Sequence, residues 1–266
     1  MRYAPSKPSK PRRNRGKSIR ELLDRIRADT KPTDRVGGVL LASGRDPTDW
    51  AVRIAQRTAR FDRAPSRWSH AAIVLEWSGR SRIDTAMGVE VSLTPAGGQT
   101  HRPETNGVTA FSLTDYCDSD RYRDVAFATV VGLDRAARDR IVDAAMNPNT
   151  ARTRYPLYEA LGPWLHHVYS PAGCQNPLEA GIAHPGAAFC EMAYEAGGLD
   201  LTPGAVGPNV CPEMLWSTFR YWHESLPRDK GKVVVWTTAR PNEIHVDRRY
   251  VAESVEASLE GHRPRR

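Results

Sequence analysis

Six short apolar runs lie between Val36 and Leu133 with a single helix-like stretch among them, and nothing else in the chain constrains its fold as strongly. The runs are 36–43, 69–76, 82–87, 89–93, 108–113 and 124–133, several alternating apolar and polar residues with the period of two that marks a half-buried strand. Trp77-Ser78-Gly79-Arg80 supplies a turn between the second run and its return. The helix-like stretch is Asp49 to Ala59. Helical patterning returns later: Asp134 caps a stretch ending near Met146, a short segment surrounds Cys190, and Glu213 to Trp222 follows before a last strand at 232–238. Strands that largely precede helices predict an α+β fold. The stretch 151–187, rich in Pro, Gly and aromatic residues, reads as irregular.

The 266 residues carry a net charge of +7, but that charge sits in the tails. Residues 1–20 hold eight Lys and Arg and no acid, and Arg263, Arg265 and Arg266 end the chain. Outside these segments acids outnumber bases by 31 to 27. Three parts are therefore expected: a basic, Pro-rich arm over 1–30 that includes a short amphipathic helix (Ile19, Leu22, Leu23, Ile26), a folded domain over 31–240, and a C-terminal tail over 241–266. The arm, through residues 2–20, suits nonspecific contact with nucleic acid or another anionic surface; no sequence-specific nucleic-acid motif accompanies it. No apolar run is long enough to span a membrane, and no apolar export segment follows the first basic residues, so a cytoplasmic location is expected. Cys117, Cys174, Cys190 and Cys211 are then free thiols. The spacings of 10, 6 and 21 in a Cys174, His184, Cys190, Cys211 set match no common zinc finger, and neither metal nor cofactor is expected.

Two segments 120 positions apart carry the chemistry. Trp68-Ser69-His70-Ala71-Ala72-Ile73-Val74 is a strand that opens with an imidazole. Ala188-Phe189-Cys190-Glu191-Met192-Ala193-Tyr194 is a short helix stopped by Gly197-Gly198. With Pro185-Gly186 ending whatever precedes it, Cys190 is expected in the first turn, where unpaired N–H groups and the helix dipole favour a thiolate. His70 would take the thiol proton and return it to the leaving group. Taken singly, Cys190 also fits a buried structural thiol, and His70 a hydrogen-bonded imidazole at a strand edge. For a third, orienting group, Glu76 shares the strand face of His70 but lies about 20 Å away along the strand. Asp84 on the return strand is nearer: a turn centred on Ser78 sets it opposite Ala72, diagonal to His70, whereas a two-residue Ser78-Gly79 turn reverses its face.

The order Gly38-Val39-Leu40-Leu41-Ala42-Ser43-Gly44, helix, Trp68-Ser69-His70, Ile83-Asp84-Thr85-Ala86, Gly88-Val89-Glu90-Val91 and Phe189-Cys190 resembles the circularly permuted NlpC-type papain-like cysteine hydrolases (the YiiX/YebB-like family), relatives of lecithin:retinol acyltransferase. The resemblance covers about residues 36–222. It implies a permuted papain-like fold in which an antiparallel sheet carrying the His packs against a helix carrying the Cys. It implies Cys190 as nucleophile, His70 as base and Asp84 as orienting residue. The expected activity is hydrolysis of a peptide, amide or acyl ester, or acyl transfer, through a Cys190 thioester. One departure matters: family members reach the closing Gly about 12 residues after the Cys, whereas Gly198 follows Cys190 by eight. Aligning on Tyr194 and Gly198 puts Gly186 in the nucleophile slot. The competing expectation is thus a catalytically inactive papain-like binding domain.

Overall fold

The structure is a computed structural model that describes residues 15–77, 83–98, 107–147, 157–170, 173–182, 184–205, 209–225 and 232–238. The described residues open with α1 (Arg15–Asp29) and the single turn α2 (Pro32–Arg35). Then come β1 (Val39–Gly44), α3 (Pro47–Ala55), β2 (His70–Glu76), β3 (Met87–Val91), β4 (Val108–Ser112) and β5 (Tyr122–Val131). The remainder is α4 (Arg135–Met146), α5 (Leu157–Tyr169), α6 (Pro185–Ala196), α7 (Pro212–Ser225) and β6 (Lys232–Thr237). Among the described residues the strands form one six-stranded sheet in the order β4-β3-β2-β1-β5-β6, with every neighbouring pair antiparallel. The protein is therefore α+β. Among the described residues, no helix is long and apolar enough to cross a membrane.

Strand alternation divides the core between the two faces of the sheet. Val39, Leu41, Ala71, Ile73, Val89 and Val91 lie on one face, packed with Ile141 of α4, Phe189, Cys190 and Tyr194 of α6, and Leu215 and Phe219 of α7. Leu40, Ala42, Ala72, Val74 and Phe127 lie on the other, packed with α1 and with Phe111 and Tyr116. The α1 spacing of Ile19, Leu22, Leu23 and Ile26 buries all four side chains in this second cluster. From Ile19 to Ile26 that helix packs against the sheet.

Two local expectations are corrected. The segment 82–87 is not a return strand: Ile83–Thr85 is one turn of 3-10 helix, and pairing begins only with Met87. Ser78 and Gly79 lie outside the described residues; the register of β2 on β3 pairs Val74 with Gly88 and Glu76 with Met87, and Trp77 after β2 is completely buried. Ala72 consequently pairs with Glu90, not with Asp84. Within the supposedly irregular 151–187, Leu157–Tyr169 is helical, with Ala160 and Trp164 buried four residues apart on one face.

Candidate active site

His70 is the first residue of β2 and pairs with Ala42 of β1. It shares a face with Ala72 and Val74, and its ring stands edge-on to Tyr122 with centroids 5.7 Å apart. Both ring nitrogens are engaged. Nε2 lies 2.6 Å from Asp49 Oδ1, and Nδ1 lies 2.9 Å from Ser92 Oγ. Thr94 Oγ1 approaches Nε2 at a longer 3.5 Å. His70, Asp49 and Ser92 are each 4% exposed.

Local structure explains each placement. Asp46-Pro47-Thr48-Asp49 starts α3: Pro47 takes the first helical position, and Asp49 Oδ2 accepts the Asp46 N–H at 3.2 Å. The same carboxylate thereby caps its helix and faces His70. Gly44 makes room for it, since a Cβ there would run into the Asp49 carboxylate. Ser92 follows β3 directly, and two further steps along the Ala72–Glu90 ladder bring it opposite His70. Its Oγ accepts the Thr94 N–H at 3.1 Å, which fixes the hydroxyl's position. The next residues are tied down as well: Arg121 donates to the carbonyls of Thr94 (3.3 Å) and Pro95 (2.7 Å), and Glu90 accepts the Ala96 N–H (2.5 Å) and the Tyr116 hydroxyl (2.8 Å).

Electrostatics bind the pair together. Burial alone would push the Asp49 carboxyl up, but the charge and hydrogen bond of His70 outweigh it and hold it below its ordinary value. Burial likewise pushes His70 down, yet Asp49 prevails and leaves the imidazole above its ordinary value. Glu90 is raised by burial despite nearby His70. His184, at the N-cap of α6, is driven down to about 3 by burial and by the charge of His70. It is therefore a neutral imidazole beside a chargeable one.

Cys190 is elsewhere. It is the sixth residue of α6, one turn beyond the N-terminal position expected for it, because Pro185 sets the helix start earlier. Its side chain is fully buried in the apolar cluster with Ala71 and Ile73, on the opposite side of the sheet from His70. Its thiol is raised well above the ordinary value, first by burial and then by Glu191 and Glu90. The expected helix does pack on the expected strand, but the structure does not bring Cys190 and His70 together. The position of α6 that touches the strands near the imidazole is Gly186, where a Cβ would lie 2.8 Å from the carbonyl oxygens of both Ala71 and Val91. Asp84 sits in the 3-10 turn, and its side chain lies outside the described residues; the carboxylate on His70 is Asp49.

Asp49 and Ser92 were missed in the sequence. The Asp46-Pro47-Thr48-Asp49 capping pattern could have placed Asp49 in a first turn at the end of β1. Ser92 had no local signal, since it depends on the length of the β2–β3 connection. Compared with known proteins, the chain matches no family model and no curated protein.

Proposed function

We propose that this chain is a hydrolase of acyl bonds, amide or ester, in which His70 is the general acid–base and Asp49 orients it. The observation that carries the reading is the buried relay itself: one imidazole with a carboxylate on one nitrogen and a hydroxyl on the other. Burying an ionisable pair is costly, and in the apolar half of a sheet a structural role could be filled by hydrocarbon at lower cost. With Asp49 accepting Nε2–H, the neutral tautomer leaves the Nδ1 lone pair free to take a proton. The antiparallel sheet, the His opening its second strand and the helix laid across β2 and β3 support a permuted papain-like (NlpC-type) scaffold for it. Substrates would be peptides, amides or acyl esters, in a cytoplasmic setting.

A panel of chromogenic esters and amides, offered to the full chain from pH 6 to 9, tests the reading. Turnover that falls about 10²- to 10⁴-fold in His70→Ala supports it. Undiminished turnover in that variant, or none above background in the parent, sinks it. A second reading, a non-catalytic binding domain, is favoured by the near-complete cover over the site and by Gly186 in the slot where the resemblance allows for a nucleophile. In that reading residues 2–20 bind nucleic acid or an anionic surface. Their deletion would then abolish salt-sensitive DNA or RNA binding, and unchanged binding would refute it.

A further inference from the structure

We infer that Ser92 is the nucleophile of this site, so that its chemistry is that of a serine and not of a thiol. The inference rests on the hydrolase reading above and goes beyond it by naming the attacking atom. A nucleophilic hydroxyl needs a base on its proton, and the base needs a partner on its far nitrogen. Ser92 Oγ, His70 and Asp49 meet both needs, with separations of 2.9 Å and 2.6 Å on opposite ring nitrogens. The other candidates fail on geometry. Cys190 lies across the sheet. Thr94 Oγ1 is 3.5 Å away and on the nitrogen that Asp49 already occupies. Ser69 Oγ accepts the Gly44 N–H at 2.9 Å. Tyr122 presents its ring edge to the imidazole, and burial raises its phenol far above neutrality.

The surroundings of Ser92 fix the position of its hydroxyl. The Thr94 N–H occupies one lone pair of Oγ, and when His70 is neutral with its proton on Nε2 the Ser92 O–H donates to Nδ1. Glu90 and Arg121 grip the residues after it from two sides, through the Ala96 N–H and the Thr94 and Pro95 carbonyls. In the reaction, Oγ adds to the acyl carbon as its proton passes to Nδ1, and the carbonyl π pair moves to oxygen. Collapse of the tetrahedral species breaks the bond to the leaving group, which departs with the proton from Nδ1. Water then adds to the acyl-serine ester, His70 takes its proton, and collapse releases the acid and restores the Ser92 hydroxyl. The net change is one acyl bond and one water consumed, one carboxylic acid and one protonated leaving group formed.

The test is a small fluorophosphonate probe on the full chain at pH 8, with adducts mapped by peptide mass spectrometry, alongside p-nitrophenyl acetate turnover. The expected result is an adduct on Ser92 that forms at least about tenfold more slowly in His70→Ala, and turnover down about 100-fold or more in Ser92→Ala. Ser92→Cys provides a second variant that keeps a protonated nucleophile in place. It should make turnover sensitive to iodoacetamide, a result that folding damage would not produce. If His70→Ala loses turnover while Ser92→Ala keeps it, the nucleophile assignment falls and the hydrolase reading stands. A Ser92 adduct forming at the same rate without His70 also overturns the assignment. No adduct together with no turnover overturns both.

Discussion

The two faces of one sheet hold the two residue types from which a thiol hydrolase is built, and they treat them oppositely. On the α6 face Cys190 is surrounded by Phe189, Ala193, Tyr194 and Ile73, and behaves as a small hydrophobe with a firmly protonated thiol. On the α1 face His70 is held by Asp49 and Ser92 and kept above its ordinary basicity. The lesson concerns parity. A histidine and a cysteine on packed elements are partners only if they project into the same layer, and one residue of strand offset puts a full sheet between them.

The largest effect that would break this comparison is on His70. His70→Ala leaves the Asp49 carboxylate buried without its partner, and should cost about 3–5 kcal/mol by urea unfolding as well as turnover. Cys190→Ala should leave turnover unchanged; its abolition in a variant that melts like the parent would restore the thiol. Next comes Cys190→Ser, which buries a hydroxyl among apolar groups and should cost about 1–3 kcal/mol without altering turnover. Titration sharpens the contrast further. Asp49 is depressed, so its contribution is present above its ordinary 3.8 and lost as pH falls through its folded value. His70 is raised, so its contribution is full below 6.5 and lost as pH rises through its folded value. The pair stabilises most between about pH 4 and 6.5. Turnover, which needs neutral His70, should instead climb as pH rises past 6.5. A pH–rate profile falling over that range would contradict the base assignment.

On the other face, burial raises Glu191 to about 7, although it accepts from the Leu201 N–H and the Thr202 hydroxyl. A raised acid loses stability as pH rises from 4.5 through 7. Glu191→Gln should therefore gain about 1–2 kcal/mol at pH 8 and little at pH 5, measured by thermal melts at both values. The smallest effect is one of order: limited iodoacetamide should modify the half-buried Cys117 and Cys174 before the buried Cys190 and Cys211. Preferential labelling of Cys190 would overturn the description of its face.

Much of the scaffold was legible because it depends on local pattern. The runs at 36–43, 69–76 and 124–133, the Asp134 cap and the amphipathic Ile19–Ile26 stripe all correspond to observed elements. His70 as the opening residue of a strand was equally legible. What failed were properties of register and reach. The place of Asp84 depends on register, opposite Ala72 for a turn centred on Ser78 and on the reverse face for a two-residue turn, and the observed register gives the position opposite Ala72 to Glu90. The first-turn placement of Cys190 takes Pro185-Gly186 as the end of the preceding segment, whereas Pro185 is itself the first residue of α6 and puts a full turn ahead of the thiol. Asp49 joins His70 from a different element altogether, a contact that no strand periodicity encodes.

Gly186 gives the sheet a backstop. A sheet is one backbone thick, and Ala71 and Val91, the residues this glycine touches from the α6 side, are the immediate neighbours of His70 and Ser92 on the other. Because backbone meets backbone there, the strand ends have no slack in which to retreat when a group presses on them from the α1 side. The strand ends that carry the imidazole and the hydroxyl are thus backed, on the far side of the sheet, by a residue that has no side chain.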